Sequence, residues 1–189
     1  MTSYPKDVQA GDKTFTLSLM GEADVAAVLA FARAAPAHDL LFMPRDITNE
    51  KVVKAWAGAI ASDAIVTVLA YDGTAVVGCV GLFIDPLSWS PHVAELRALV
   101  LPDARATGLG RLLIQEAFRI ALERDMKKIT AQMTVDQKGA VAIFEELGFG
   151  GEALLKEHVV DQSGQTHDIV ILSCDVERVA ARKSAYSGG

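Results

Sequence analysis

The chain has 189 residues, about half of them hydrophobic and 22% charged. That balance describes one folded globular domain and excludes an intrinsically disordered chain. The formal net charge of -6 argues against a general nucleic-acid or anionic-membrane surface, although a local basic patch can still hold an anion.

Residues 1–12 are polar, lack the apolar core of a signal peptide, and read as an N-terminal extension. "KTFTLSL" (13–19) alternates polar and apolar residues as a half-buried strand does. "EADVAAVLAFARAA" follows as a helix that must end before Pro36. Residues 36–47 form a loop carrying Leu40, Leu41, Phe42 and Met43, after which Thr48 or Asn49 caps a second helix reaching about Ala61. Residues 64–84 are too broken by "YDG" to span a membrane and instead read as a hairpin turning at Asp72-Gly73. A loop with Pro86 and Pro91 leads to the fourth predicted strand, 93–101. A helix over 108–124, a strand over 127–135, a short helix from 138 closed by Gly148, and strands over 149–160 and 167–174 complete the order. The expected fold is a mixed α/β (α+β) sheet in the order β-α-α-β-β-β-α-β-α-β-β, occupying residues 13–176, with a frayed polar tail over 177–189. Cys79 and Cys174 both fall in apolar strand-like runs, which fits buried thiols in a reducing, cytoplasmic setting. No metal-type Cys/His spacing occurs, so no metal is expected.

The segment "RATGLGR" (105–111) carries the most distinctive chemistry. Helix N-termini offer unpaired N–H groups and a positive dipole end. Glycines at 108 and 110 let a ligand approach the backbone closely, and Arg105 and Arg111 add charge. A phosphate-bearing ligand is the natural candidate. A P-loop is excluded because no Lys-Ser or Lys-Thr follows these glycines. The dinucleotide fingerprint is excluded because its third glycine would fall on Leu113.

Arg105-Ala-Thr-Gly108-Leu-Gly110 resembles the [QR]-x-x-G-x-[GA] signature of the GNAT superfamily of N-acetyltransferases. "QKGAVAIFEELGF" (137–149) is similar to that family's N-x-x-A-x-x-x-Y-x-x-x-G-F block, and the element order agrees from 13 to 174. The resemblance implies the GNAT fold, in which the fourth and fifth strands splay apart, and acetyl-CoA as cosubstrate. It implies that the pyrophosphate rests on backbone amides from Ala106 through Thr107, Gly108, Leu109 and Gly110 to Arg111, with Arg105 beside them and the Thr107 hydroxyl as a further donor. It also implies that the pantetheine arm pairs with backbone groups of Leu99, Val100 and Leu101 as an added strand, that a free N–H there stabilises the oxyanion, and that Gln137 and Phe144 line the same arm.

Amide formation requires a neutral amine, yet an aliphatic ammonium has a pKa near ~10. A glutamate on the fourth strand serves as base in several branches of the family, which makes Glu95 the expected catalytic base, on one strand face with Arg97, Leu99 and Leu101. The alternative is a strand carboxylate paired with Arg97, Lys127 or Lys128; His92 is the fallback base. The family tyrosine that protonates the departing thiolate falls on Phe144, which has no proton to give. A thiol pKa near ~8.5 still makes thiolate a tolerable leaving group. The acceptor implied is a primary amine, with a protein lysine among the candidates and a polyamine, amino acid or aminoglycoside as alternatives. Asp39, Asp46 and Glu95 are available to attract it. A non-catalytic acyl-CoA sensor is the competing class, and homodimers are frequent in the family.

Overall fold

The computed structural model describes residues 3–62 and 64–187. Eight strands form one sheet: β1 (Lys6–Ala10), β2 (Lys13–Leu19), β3 (Ile65–Asp72), β4 (Ala75–Ile84), β5 (Val93–Val100), β6 (Lys128–Thr134), β7 (Gly150–Val160) and β8 (Thr166–Asp175). Five α-helices accompany them: α1 (Val25–Ala34), α2 (Glu50–Ala61), α3 (Leu109–Glu123), α4 (Lys138–Glu146) and α5 (Val176–Ser187). The spatial order is β1-β2-β3-β4-β5-β6-β8-β7, antiparallel throughout except between β5 and β6.

Local chemistry sets several of these boundaries. Asn49 caps α2 by accepting a hydrogen bond from the Lys51 N–H at 3.0 Å. Gly73 takes φ +60° in the β3–β4 turn, a conformation that favours glycine. The sheet separates two cores. On one face α1 and α2 cover Leu69, Cys79 and Leu99 through Val28, Phe31, Val53 and Trp56. On the other, α3 covers Val80, Leu82, Leu96 and Ile129 through Leu109, Leu113 and Ala117. The Trp56 indole N–H satisfies the buried Thr67 hydroxyl at 3.0 Å, fastening α2 to β3.

Both ends of the chain differ from expectation. The segment read as an extension supplies β1, paired with β2 from Lys6 opposite Leu17 to Ala10 opposite Lys13. Lys6 is further held at 2.7 Å by Glu116, a buried carboxylate on α3 that also accepts from Tyr4 and Arg119. The segment read as a frayed tail forms α5, whose Val176 and Val179 are buried in the α3-side core. Residues 1–2 and 188–189 of those two segments lie outside the described residues.

One topological feature positions the site. The β5–β6 ladder runs only from Val93 opposite Lys128 to Leu96 opposite Ala131. Beyond it β5 stays with β4 as far as Val100, and β6 stays with β8 as far as Thr134. Each strand keeps its outer partner, so the two central strands part and leave an open V with unpaired backbone on its inner edges.

Candidate active site

A cavity of about 670 Å³ fills that V. Its walls are Ala98, Leu99 and Val100 of β5, the α3 entry from Arg105 to Arg111, Gln137 to Ala140 at the start of α4, and Ile143 and Phe144 further along it. Asp39 and Phe42, from the segment between α1 and α2, close the opposite side. The Leu101 N–H donates to Val77 O of β4 at 2.9 Å. N–H groups alternate along a strand, so those of Ala98 and Val100 point into the V, whereas those of Leu99 and Leu101 point to β4. Among residues 99–101, then, Val100 offers the free backbone edge, and its carbonyl accepts from Arg105 Nε at 3.0 Å.

The turn into α3 has two left-handed residues, Ala106 at φ +60° and Gly108 at φ +96°. Successive N–H groups folded this way converge into an anion-binding concavity, here at the positive end of a 15-residue helix. A side chain on Gly108 would meet nothing within 4 Å, so backbone angle alone calls for glycine there. A Cβ on Gly110 would lie 3.8 Å from Val100 Cγ2, an ordinary contact between helix and strand.

Nine of the twelve predicted ligand-contacting residues line this cavity: Leu99, Val100, Arg105, Ala106, Gly108, Gly110, Arg111, Gln137 and Phe144. The other three do not. Leu109 is fully buried in the α3-side core. Leu101 has its N–H committed to β4. The Thr107 hydroxyl is turned inward, donating to Ala104 O at 2.9 Å and accepting from the Leu109 N–H at 3.2 Å, so it braces the turn. Arg105 also pairs with Asp39, and Arg111 with Glu146. Phe144 is buried, edge-on to Phe149 at 4.9 Å, and presents a hydrocarbon ring to the cavity.

Glu95 lies on the α1/α2 face with Arg97, as its parity predicts, but does not line the large cavity. Both of its oxygens accept from Arg97, at 2.9 Å each, and Arg97 lies over the Phe83 ring at 3.8 Å. Lys127 and Lys128 instead bond to Asp125, Glu177 and Glu152. His92 is exposed before β5, at the end of the strand away from the cavity. Arg97 and Phe83 belong to a second cavity of about 310 Å³, shared with Met43, Arg45, Ile47 and Trp56. The consecutive residues Phe42 and Met43 are divided between the two cavities, Phe42 lining the first and Met43 the second. Asp46, like Asp39 and Glu95, is internally engaged: it accepts from the Thr48 N–H and hydroxyl, which hold its carboxyl below the usual range.

A polar cluster that sequence patterning did not reveal stands at the mouth of the V. His38, in a single helical turn over Ala37–Leu40, places Nε2 2.8 Å from Asp136 Oδ2 and 3.4 Å from Thr134 Oγ1. Its ring meets that of His167 edge-on at 5.0 Å, and His167 Nε2 lies 2.8 Å from Asp161 Oδ2.

Residues 29–149 match the family model for the acetyltransferase (GNAT) family, more than half of the chain. The chain belongs to the GNAT acetyltransferase family. Among solved structures, a GNAT acetyltransferase from Streptococcus pneumoniae superposes with a TM-score of 0.73 at 20% identity, over 85% of this chain and 99% of that one. An acetyltransferase from Salmonella typhimurium, solved with its cofactor acetyl-CoA, gives 0.73 at 18% identity, covering 87% and 95%. Spermidine N-acetyltransferase from Vibrio cholerae, in complex with CoA and spermine, gives 0.73 at 19% identity, covering 88% and 98%. At such identities the likeness speaks for the fold. No curated protein matches the chain. This GNAT protein has no helix among its described residues long and apolar enough to cross a membrane, and no cluster there with the makings of a metal site.

Proposed function

We propose that the protein transfers an acetyl group from acetyl-CoA to a primary amine by direct attack in a ternary complex. The observation that carries this reading is the juxtaposition, in one 670 Å³ cavity, of a glycine-built anion cradle and an unpaired strand edge. The residues fit the cosubstrate. The turn at 106–111 would hold a pyrophosphate, the open edge of Ala98 and Val100 would pair with pantetheine amides, and the apolar Ile114, Ile143 and Phe144 would flank the arm. When bound, acetyl-CoA supplies an activated acyl group on a thiol leaving group. The chain supplies orientation and a splay-facing N–H, from Ala98 or Val100, for the carbonyl oxygen as it gains charge.

The amine reaches that carbonyl from the α1/α2 side, where the second cavity, walled by Trp56, Phe83 and Met43, would seat the body of the acceptor. Asp39, Asp46 and Glu95 are each spent on partners within the chain. This favours an acceptor bearing a single amine, a protein lysine among them, over a polyamine that needs several free carboxylates. A base role for Glu95 requires its pair with Arg97 to open during turnover.

A screen of amines and lysine-bearing proteins, read by release of free thiol from acetyl-CoA, tests the reading. Turnover with at least one single amine supports it. Phe144 in the place of a phenolic acid favours the competing reading of an acyl-CoA sensor. CoA binding without thiol release from any acceptor would establish the sensor instead.

A further inference from the structure

We propose that His38 is the general base of this site and that Asp136 is its positioning residue, an inference that rests on the acetyl-transfer reading. The two side chains come from opposite halves of the fold. His38 arrives on the turn between α1 and α2, and Asp136 follows β6 just where β5 and β6 have parted. Asp39, next to His38 in the chain, and Asp136, bonded to its ring, both line the large cavity, although His38 itself is not among the lining residues.

The hydrogen bonding selects a tautomer. Asp136 Oδ2 lies 2.8 Å from Nε2 and, as an ionised carboxylate, can only accept, so the proton resides on Nε2. Asp136 is kept ionised: the Thr134 hydroxyl holds its carboxyl low, as does the adjacent His38, against the opposing effect of burial. Nδ1 has no partner among the described residues and carries the free lone pair. The groups facing the ring are few and known. Thr134 and Asp136 approach from the end of β6, and His167 from β8, its own Nε2 held by Asp161. Asp39, the neighbouring residue, is committed to Arg105. By contrast, both carboxylate oxygens of Glu95 are closed off by Arg97.

The proton balance is as follows. A primary ammonium gives one proton to Nδ1, leaving a lone pair on nitrogen. That pair forms the C–N bond to the thioester carbonyl carbon as the C–S bond breaks and its electrons leave with sulfur. Two protons depart the nitrogen in all. One passes from the imidazole, whose side chain is 35% exposed, to water, and the other ends on the thiolate. Asp136 neutralises the imidazolium while it lasts.

The test compares wild type with His38→Gln, Asp136→Asn and Glu95→Gln. Three readouts are used: CoA affinity by calorimetry, kcat/KM against pH with the best amine of the screen, and ¹⁵N shifts of the His38 ring in the unliganded protein. His38→Gln is expected to lower kcat about 100-fold near neutral pH, abolish the acidic limb of the profile, and leave CoA affinity within twofold. Asp136→Asn should shift the His38 tautomer away from Nε2–H and lower kcat less, while Glu95→Gln keeps the acidic limb. An Nδ1–H tautomer in wild type, or a His38→Gln enzyme with near-normal kcat and an intact acidic limb, overturns the proposal and leaves acetyl transfer standing. A wild type that transfers acetyl to no amine overturns both.

Discussion

Asp39→Asn should tighten CoA binding, although it removes an ion pair. In the free protein the Arg105 guanidinium is occupied twice, by Asp39 and by the carbonyl of Val100. A pyrophosphate that recruits Arg105 must draw it from Asp39. Asp39 is 16% exposed but Arg105 is 46% exposed, so solvent screening keeps the pair well below a buried one. An exchange of about 0.5–1.5 kcal/mol is reasonable, which converts to roughly two- to tenfold in Kd. Titration calorimetry with CoA at two salt concentrations measures it, and the gain should shrink at the higher salt. Arg105→Ala should weaken binding about tenfold. Because Asp39 acts through Arg105, the double variant should match Arg105→Ala within about twofold. A weaker Kd for Asp39→Asn, or the same gain on the Arg105→Ala background, would refute the reasoning.

The two glycines of the cradle should respond with opposite signs. Gly108→Ala forces a left-handed residue and should cost about 1–2 kcal/mol in urea unfolding. Gly110→Ala lies within α3, where alanine gains up to about 1 kcal/mol, and its methyl would meet Val100 Cγ2 at an ordinary 3.8 Å, so stability should rise with CoA affinity within about twofold. Glu116→Gln tests the β1–α3 clasp. Burial raises that carboxyl, but hydrogen bonds from Arg119, Lys6 and Tyr4 outweigh it and bring it down to about 2. A depressed carboxylate stabilises the fold above its unfolded value and loses that contribution as pH falls through its folded value. The wild-type advantage, about 1–3 kcal/mol at pH 7 after allowance for partly exposed partners, should therefore shrink between about pH 5 and pH 2, and an advantage constant with pH would contradict it. Burial pushes the Cys79 and Cys174 thiols up to about 12, so both should resist a thiol reagent at pH 8 until the protein unfolds.

Features written into the backbone were legible from the chain alone. Asp72-Gly73 announced the β3–β4 turn, Thr48 or Asn49 the α2 cap that falls to Asn49, and Gly108 the turn into α3, because each residue type answers a local conformational demand. The parity of β5 put Glu95 beside Arg97 and Leu99, and Arg97 was one of the partners that parity allowed. What stayed hidden depended on distant partners. The alternation in "KDVQA" is too short to stand out until β2 and Glu116 receive it. The polar composition of α5 conceals that Val176 and Val179, three residues apart, are its anchors. Thr107 looked like a ligand donor from its place in the segment that resembles the family signature, whereas its hydroxyl bridges Ala104 and Leu109. His38 and Asp136 meet only because the turn after α1 crosses to the far side of the parted strands.

That division has a chemical basis. A pyrophosphate and a run of amides can be held by N–H and C=O groups, which every residue carries, so the demand on sequence reduces to glycines that clear the way and set the turn. A proton can be moved only by particular side chains, and the pair proposed for it, His38 between α1 and α2 and Asp136 after β6, is brought together by packing. Substitutions across 38–47 should therefore alter acceptor choice and pH dependence with CoA affinity intact. Asp39 and Phe42, which line the large cavity, are the exceptions. Asp39 lies beside His38 and is bonded to Arg105, so it is the residue through which CoA binding would be felt by His38.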